Sequence, residues 1–209
     1  MTGKLVEIPA INTNTLTNEF CQKMHSSCEK CICWDCYSFA MLEGSRKNCQ
    51  PAWQQNSDIL SGGLLGYPLP QFNSLYVRFD GHGELINETH FINYLLITEH
   101  NPKTTFSLFT KRKDIVKRVL QGIDWYGSTR ASGQDVFIRK IPKNLILVYS
   151  NPIVDRITDK KPQYFNKVFN TTTEKSTLDN CAGKKCIECL ACYQFDGNSV
   201  LIEQKKKRA

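Results

Sequence analysis

The chain has 209 residues, ten of them cysteine, with 41% hydrophobic and 22% charged residues and a formal net charge of +7. A chain of that length suits a single domain that buries about 70% of its unfolded surface, so the cysteines are not needed to rescue a small core. No run of about 18 apolar residues occurs and the start, MTGKLVEIPAINTNTL, lacks the apolar stretch of a secretory signal, so neither a membrane helix nor export is expected.

In chain order, KLVEIPA reads as a short first strand. Residues 12–49 form a cysteine-rich, polar stretch, read as a metal-held loop over 12–36. Helical pattern follows from Trp34 to Glu43 and from Lys47 to Leu60, and SGGLLGYPLP is a breaker-rich loop. Ser74 to Phe79 (SLYVRF) is a strand by its aromatic and β-branched content. DGHGEL then turns, and Asn87 caps a helix with Phe91, Tyr94 and Leu95 on one face. HNP (His100 to Pro102) stops it. TTFSLFT is the next strand, KRKDIVKRVLQG a basic helix ended by Gly122, and NLILVYS (Asn144 to Ser150) an almost wholly apolar strand. Residues 151–180 are polar and weakly patterned, and NSVLIEQ adds an edge strand.

Strand and helix alternating over 74–150 predict βαβ units and a parallel sheet. The expected fold class is α/β: a partial (β/α) barrel or a small parallel sheet, with cysteine-rich metal-binding loops at both ends of the chain. One domain spans 1–209, ending in a basic tail over 205–209. In such a sheet the chemistry sits at the carboxyl ends of the strands. That places Asp80, His82, Glu84, Lys111 and Ser150 at one rim.

Eight of the ten cysteines fall in two dense runs, CEKCICWDCY (Cys28 to Tyr37) and CAGKKCIECLACY (Cys181 to Tyr193). The expected compartment is the reducing cytoplasm, where disulfides are rare and the sequons at Asn87 and Asn170 carry no glycan. Cysteines two or three residues apart are poor disulfide partners but well placed to aim thiolates at one metal centre. Cys181, Cys186, Cys189 and Cys192 lie within twelve residues. Structural zinc favours two knuckles separated by a longer stretch, whereas closely spaced C-x2-C-x2-C runs wrap a larger iron–sulfur cluster. The run therefore predicts a 4Fe–4S site, with zinc as the alternative. The N-terminal set, Cys21, Cys28, Cys31, Cys33 and Cys36, exceeds the four that one centre needs, so at least one is spare. Cys21, Cys28, Cys33 and Cys36 are the candidate ligands there, and Cys49 reads as a small buried hydrophobe.

VRFDGHGELIN followed by a helix, NP, TTFSLFTK and a late YSN resemble the phage "gene product 88" family. The matching residues are Cys36-Tyr37, Arg78-Phe79, Gly83-Glu84, Thr110-Lys111 and the run Cys181 to Cys192. Glu84 stands where that family's pattern leads one to expect Asp. The layout is also similar to the radical S-adenosylmethionine enzymes. They carry a three-cysteine loop after the first strand and a Gly-Gly-Glu-like motif after the second, on a partial (β/α) barrel. The resemblance implies a cluster on Cys28, Cys33 and Cys36 with one iron open to S-adenosylmethionine, whose ammonium Gly81, Gly83 and Glu84 would hold. With Cys21 as a fourth ligand that iron is closed, and no radical chemistry follows. It also implies the cytoplasm of a phage-infected bacterial host.

Three functions follow as expectations. One is a two-cluster iron–sulfur protein of radical S-adenosylmethionine type. Another is an electron-transfer module with the same clusters and no substrate. The third is a zinc-stapled nucleic-acid binder using TKRKDIVKR and the tail, where Lys205, Lys206, Lys207 and Arg208 supply four of the seven net positive charges.

Overall fold

The computed structural model describes residues 5–121, 126–129, 134–137, 140–174, 179–181, 184–195 and 198–205. In chain order the elements are β1 (Ala10–Ile11), α1 (Glu19–Ser27), α2 (Tyr37–Glu43), a 3-10 turn (Lys47–Cys49), α3 (Gln50–Gly62), β2 (Tyr76–Phe79), α4 (Glu88–His100), β3 (Thr105–Thr110) and α5 (Lys113–Gln121). There follow a hairpin of β4 (Tyr126–Thr129) and β5 (Gln134–Phe137), β6 (Leu145–Ser150), β7 (Lys167–Thr172), α6 (Cys186–Cys189), a second 3-10 turn (Ala191–Tyr193) and β8 (Val200–Gln204).

Six strands form one all-parallel sheet in the order β1-β2-β3-β6-β7-β8, while β4 and β5 pair antiparallel with each other. The α/β class is therefore as the pattern predicts. The order follows the chain without reversal, so every connection steps one strand in the same direction. Helices α3, α4 and α5 pack together on one face of the sheet, while the connection from β7 to β8 covers the other.

Period-two alternation divides each strand between two cores. Leu145 and Leu147 of β6, with Phe106 and Leu108 of β3 and Val77 and Phe79 of β2, meet the helices in the larger core. Ile146 and Val148 turn to the opposite face, where Leu201, Phe109, Phe169, Ala191 and Cys192 cover them. This two-sided burial is why NLILVYS has no polar face. Helix α4 is buried from His90 through Thr98, because α3, α5 and the sheet enclose it. Asn87 caps it by accepting a hydrogen bond from His90 N at 3.0 Å.

Three elements differ from the sequence reading. The first strand is only Ala10–Ile11, and Leu5–Glu7 turns with Glu7 at φ 70. The polar stretch 12–36 contains a capped helix, α1, because Asn18 satisfies Cys21 N at 3.1 Å. The stretch 151–180 contains β7, whose KVFNTT alternation is masked by neighbouring polar residues. The proposed stop at Gly122 and most of the basic tail lie outside the described residues. Among the described residues no helix is long and apolar enough to cross a membrane.

Candidate metal centres

The C-terminal run builds its geometry from one helical turn. Helix α6 starts at Cys186, and Leu190 closes it in the left-handed region at φ 50, which redirects the chain into the turn Ala191–Tyr193. Asn180 pins the start of the run: its Nδ2 donates to Val200 O at 2.9 Å, its Oδ1 accepts from Ile202 N at 2.9 Å, and Cys181 N donates to Ile202 O at 3.0 Å. Cys181, Cys186, Cys189 and Cys192 then line one pocket, open to solvent, with Lys184 and Tyr193. Burial pushes the Cys192 thiol up to about 12; the other three thiols add to the rise and Arg78 opposes it. All four predicted residues are thus brought together on the second face of the sheet.

The N-terminal set divides. Cys28 is joined to Cys31 by a disulfide, against the expectation that disulfides are absent and Cys28 is a thiolate ligand. Cys21, Cys33 and Cys36 form the remaining group. Burial, then the charge of Glu84, raises the Cys21 thiol, with Cys33 and Cys36 adding to it and Lys111 opposing. Burial raises Cys33 as well, with Lys111 again opposing. Burial works to lower the Lys111 ammonium, but Cys33, Glu84, Cys21 and Cys36 outweigh it and hold its pKa up. Cys49 stands apart at the start of α3, where it precedes Pro51 in the first turn. Among the described residues no three of His, Cys, Asp and Glu converge tightly enough to hold a single metal ion.

The loop carrying these thiols lies across the carboxyl rim of the sheet. Ile32 N donates to Pro152 O at 2.8 Å beyond β6, and Lys205 Nζ donates to Asp35 O at 2.7 Å beyond β8. Tyr37, directly after Cys36, donates its hydroxyl to Gly81 O at 2.8 Å beyond β2.

DGHGEL is stitched to this loop rather than left open. Asn18 Nδ2 donates to Glu84 O at 3.0 Å, and His82 N donates to Asn12 Oδ1 at 2.8 Å. Gly83 has φ +109, and a Cβ there would collide with Thr13 Oγ1, so glycine is required. A Cβ on Gly81 would meet Asn12 Oδ1 at 3.0 Å. The Glu84 carboxylate is buried and fully engaged. Its Oε1 accepts from Leu85 N at 2.9 Å and from the Thr110 hydroxyl. Its Oε2 accepts from Lys111 N at 2.9 Å and lies 3.8 Å from Lys111 Nζ. His82 sits between Trp53, Ser38 and Arg46, and burial lowers its pKa to about 4.

Asp80 faces the helix side instead. Its Oδ1 accepts from the Thr13 hydroxyl at 2.7 Å and the Tyr94 hydroxyl at 3.2 Å, while Oδ2 lies 4.0 Å from His90 Nε2 and neither atom has a hydrogen-bond partner. Burial, then the Glu84 charge, raises Asp80 to about 8, and burial lowers His90 to about 3. The folded chain therefore keeps a proton that the unfolded carboxyl releases near pH 4. Because the folded pKa is the higher one, this contribution is fully present below about pH 4 and is lost as pH rises through about 8. Asp80→Asn keeps an acceptor for both hydroxyls and cannot titrate. In urea titrations from about pH 5 to about pH 8, wild type is expected to lose a few kcal/mol relative to this variant; a pH-independent difference would refute the assignment.

The basic helix is largely engaged within the chain. Arg112 pairs with Asp114 at 3.0 Å, and Arg118 reaches both Glu88 and Asp114. Lys111 faces the thiols and Glu84. Sequence reasoning named Arg78 only as part of the family resemblance and gave no role to Ser107 or Tyr193; the alternation in YVRF and TFSLFT places Arg78 and Ser107 on the second face. Compared with protein-family models, curated proteins and solved structures, the chain matches none.

Proposed function

We propose that the chain is an iron–sulfur protein with two centres. Cys181, Cys186, Cys189 and Cys192 hold one 4Fe–4S cluster, and Cys21, Cys33 and Cys36 hold a second through three thiolates. The observation that carries this reading is the single pocket lined by all four C-terminal cysteines. Four closely spaced thiols around one pocket suit a cubic cluster, whereas zinc draws four sulfurs to about 2.3 Å from one ion. Burial raises the pKa of Cys21, Cys33 and Cys192, so metal must displace their protons, and Lys111 and Arg78 stand where thiolate charge would develop.

Three thiolates leave one cluster iron open, and the sequential parallel sheet suits the partial barrel of radical S-adenosylmethionine enzymes. One observation favours the simpler electron-transfer module. Glu84, the residue that resemblance assigns to the cofactor's ammonium, already has both oxygens engaged by Leu85, Thr110 and Lys111. Nucleic acid is the least supported partner, since Arg112 and Arg118 are paired internally. The bacterial cytoplasm is the compartment that suits oxygen-sensitive clusters.

Anaerobic purification with iron and sulfide counting tests the proposal. About eight irons per chain and a broad visible absorption that bleaches on reduction are expected. A colourless protein carrying stoichiometric zinc would replace this reading by the zinc one. Incubating the reduced protein with S-adenosylmethionine and assaying 5′-deoxyadenosine separates the enzyme from the module.

A further inference from the structure

Three polar atoms on the second face of the sheet are buried without hydrogen-bond partners: Arg78 Nε, Ser107 Oγ and the Tyr193 hydroxyl. They belong together. Arg78 of β2 and Ser107 of β3 are direct partners in the parallel register, so their side chains emerge side by side on one face. The Arg78 guanidinium lies over the Phe109 ring, 3.3 Å from its centroid. The Tyr193 ring meets Tyr76, two residues before Arg78, edge-on at 5.2 Å. Its hydroxyl lies within hydrogen-bonding reach of the Arg78 guanidinium, at a geometry that falls short of a well-formed bond.

Each of these groups can donate, and a guanidinium can do nothing else. Ser107 is fully buried and Tyr193 is 5% exposed, so bulk water does not satisfy them. No carboxylate among the described residues forms an ion pair with Arg78. Among the described residues, this permanent cation has two hydroxyls beside it and no carboxylate paired with it. Arg78 is also central: its charge bears on Cys192 of one thiol group and on Tyr37, which follows Cys36 of the other.

We propose that Arg78, Ser107 and Tyr193 form an oxyanion-binding site between the two cysteine groups, one that takes the carboxylate of a small organic acid or a phosphate group. The Nε edge of the guanidinium accepts one ligand oxygen, Ser107 and Tyr193 close on the others, and Phe109 supports the guanidinium from its face. The site stands on its own geometry and does not depend on the metal reading.

The test uses the full chain as purified. Thermal unfolding and calorimetric titration are run with acetate, succinate or inorganic phosphate, against sodium chloride at equal ionic strength. Wild type is expected to gain Tm from an oxyanion but not from chloride; the carboxylate and phosphate arms identify which oxyanion belongs there. Ser107→Ala and Tyr193→Phe each remove an unpartnered buried hydroxyl. Without ligand both are expected to melt at or above the wild-type temperature, and each should bind the oxyanion about tenfold more weakly. Arg78→Gln should weaken binding about a hundredfold. Iron content in the two hydroxyl variants, measured alongside, should match wild type, which keeps this result separate from the fate of the clusters. The proposal is overturned if no oxyanion exceeds chloride, or if Ser107→Ala and Tyr193→Phe bind as wild type does.

Discussion

Replacing any one of Cys186, Cys189 and Cys192 by Ser is expected to remove about half of the iron bound by the anaerobically purified protein. A serine hydroxyl at these positions cannot replace the thiolate as a ligand of comparable strength, and the three residues lie on one short turn, so losing one disrupts the whole set. Cys192 has a second role, because it packs with Ala191 over Ile146, Val148 and Leu201. Cys192→Ser should therefore also destabilise the apo-protein, by about 1 kcal/mol or somewhat more, as a hydroxyl enters an apolar contact. Cys186 and Cys189 are not part of that apolar cluster, so Cys186→Ser and Cys189→Ser should leave apo-protein stability within about 0.5 kcal/mol. The same assay divides the N-terminal group. Cys21→Ser, Cys33→Ser and Cys36→Ser should each remove the other half of the iron, while Cys28→Ser and Cys31→Ser should not. Unchanged iron in all three C-terminal variants would dispose of the cluster there, and a loss confined to Cys28, Cys33 and Cys36 would restore the ligand set that the family resemblance implies.

Where local pattern dictates local structure, the sequence was readable. Strands β2, β3, β6 and β8 fall on the runs rich in β-branched and aromatic residues, and α4 starts at its Asn87 cap. Residues 12–36 read as a loop because cysteines and polar residues obscure a nine-residue helix, whose start depends on one Asn18 cap. Strand β7 was missed because KVFNTT pairs in the interior of the sheet, and tertiary burial, not composition, makes it a strand. For the C-terminal thiols, spacing alone gathers four ligands within a dozen residues. The N-terminal group was harder, since Cys21 comes from α1 and is held near Cys33 by contacts no spacing announces, His25 Nδ1 with Cys33 O and Asn18 with Glu84 O. Arg78 and Ser107 sit in ordinary strand patterns. Only the register of β2 against β3 shows that they are neighbours.

Glu84 gives the second large effect. Its carboxylate joins the carboxyl ends of β2 and β3: it accepts from Leu85 N, from Lys111 N and from the Thr110 hydroxyl, and it lies beside the Lys111 ammonium, all with 1% of the residue exposed. Glu84→Gln preserves the shape but turns one oxygen into an NH2 group. In either orientation that group points at a backbone N–H, so a donor faces a donor and one buried N–H loses its acceptor. The expected loss is about 2–4 kcal/mol in urea unfolding. Glu84→Ala, which leaves Lys111 without its carboxylate, should lose at least as much. A double cycle with Lys111→Met separates the ion pair from the backbone contacts, because the Lys111 N–H survives that substitution and the ammonium does not. If the ammonium matters mainly to Glu84, the two changes should be strongly coupled. If it matters mainly to Cys21, Cys33 and Cys36, Lys111→Met should weaken iron retention by itself while Glu84→Gln lowers stability. The competing role predicts the reverse pattern: a Glu84 that exists to hold a cofactor's ammonium would leave Glu84→Gln as stable as wild type and weaken only the binding of S-adenosylmethionine. Urea unfolding of the apo-protein beside calorimetry with S-adenosylmethionine therefore decides between them, and a variant that unfolds at the wild-type urea concentration would rule out the carboxylate as the tie between β2 and β3.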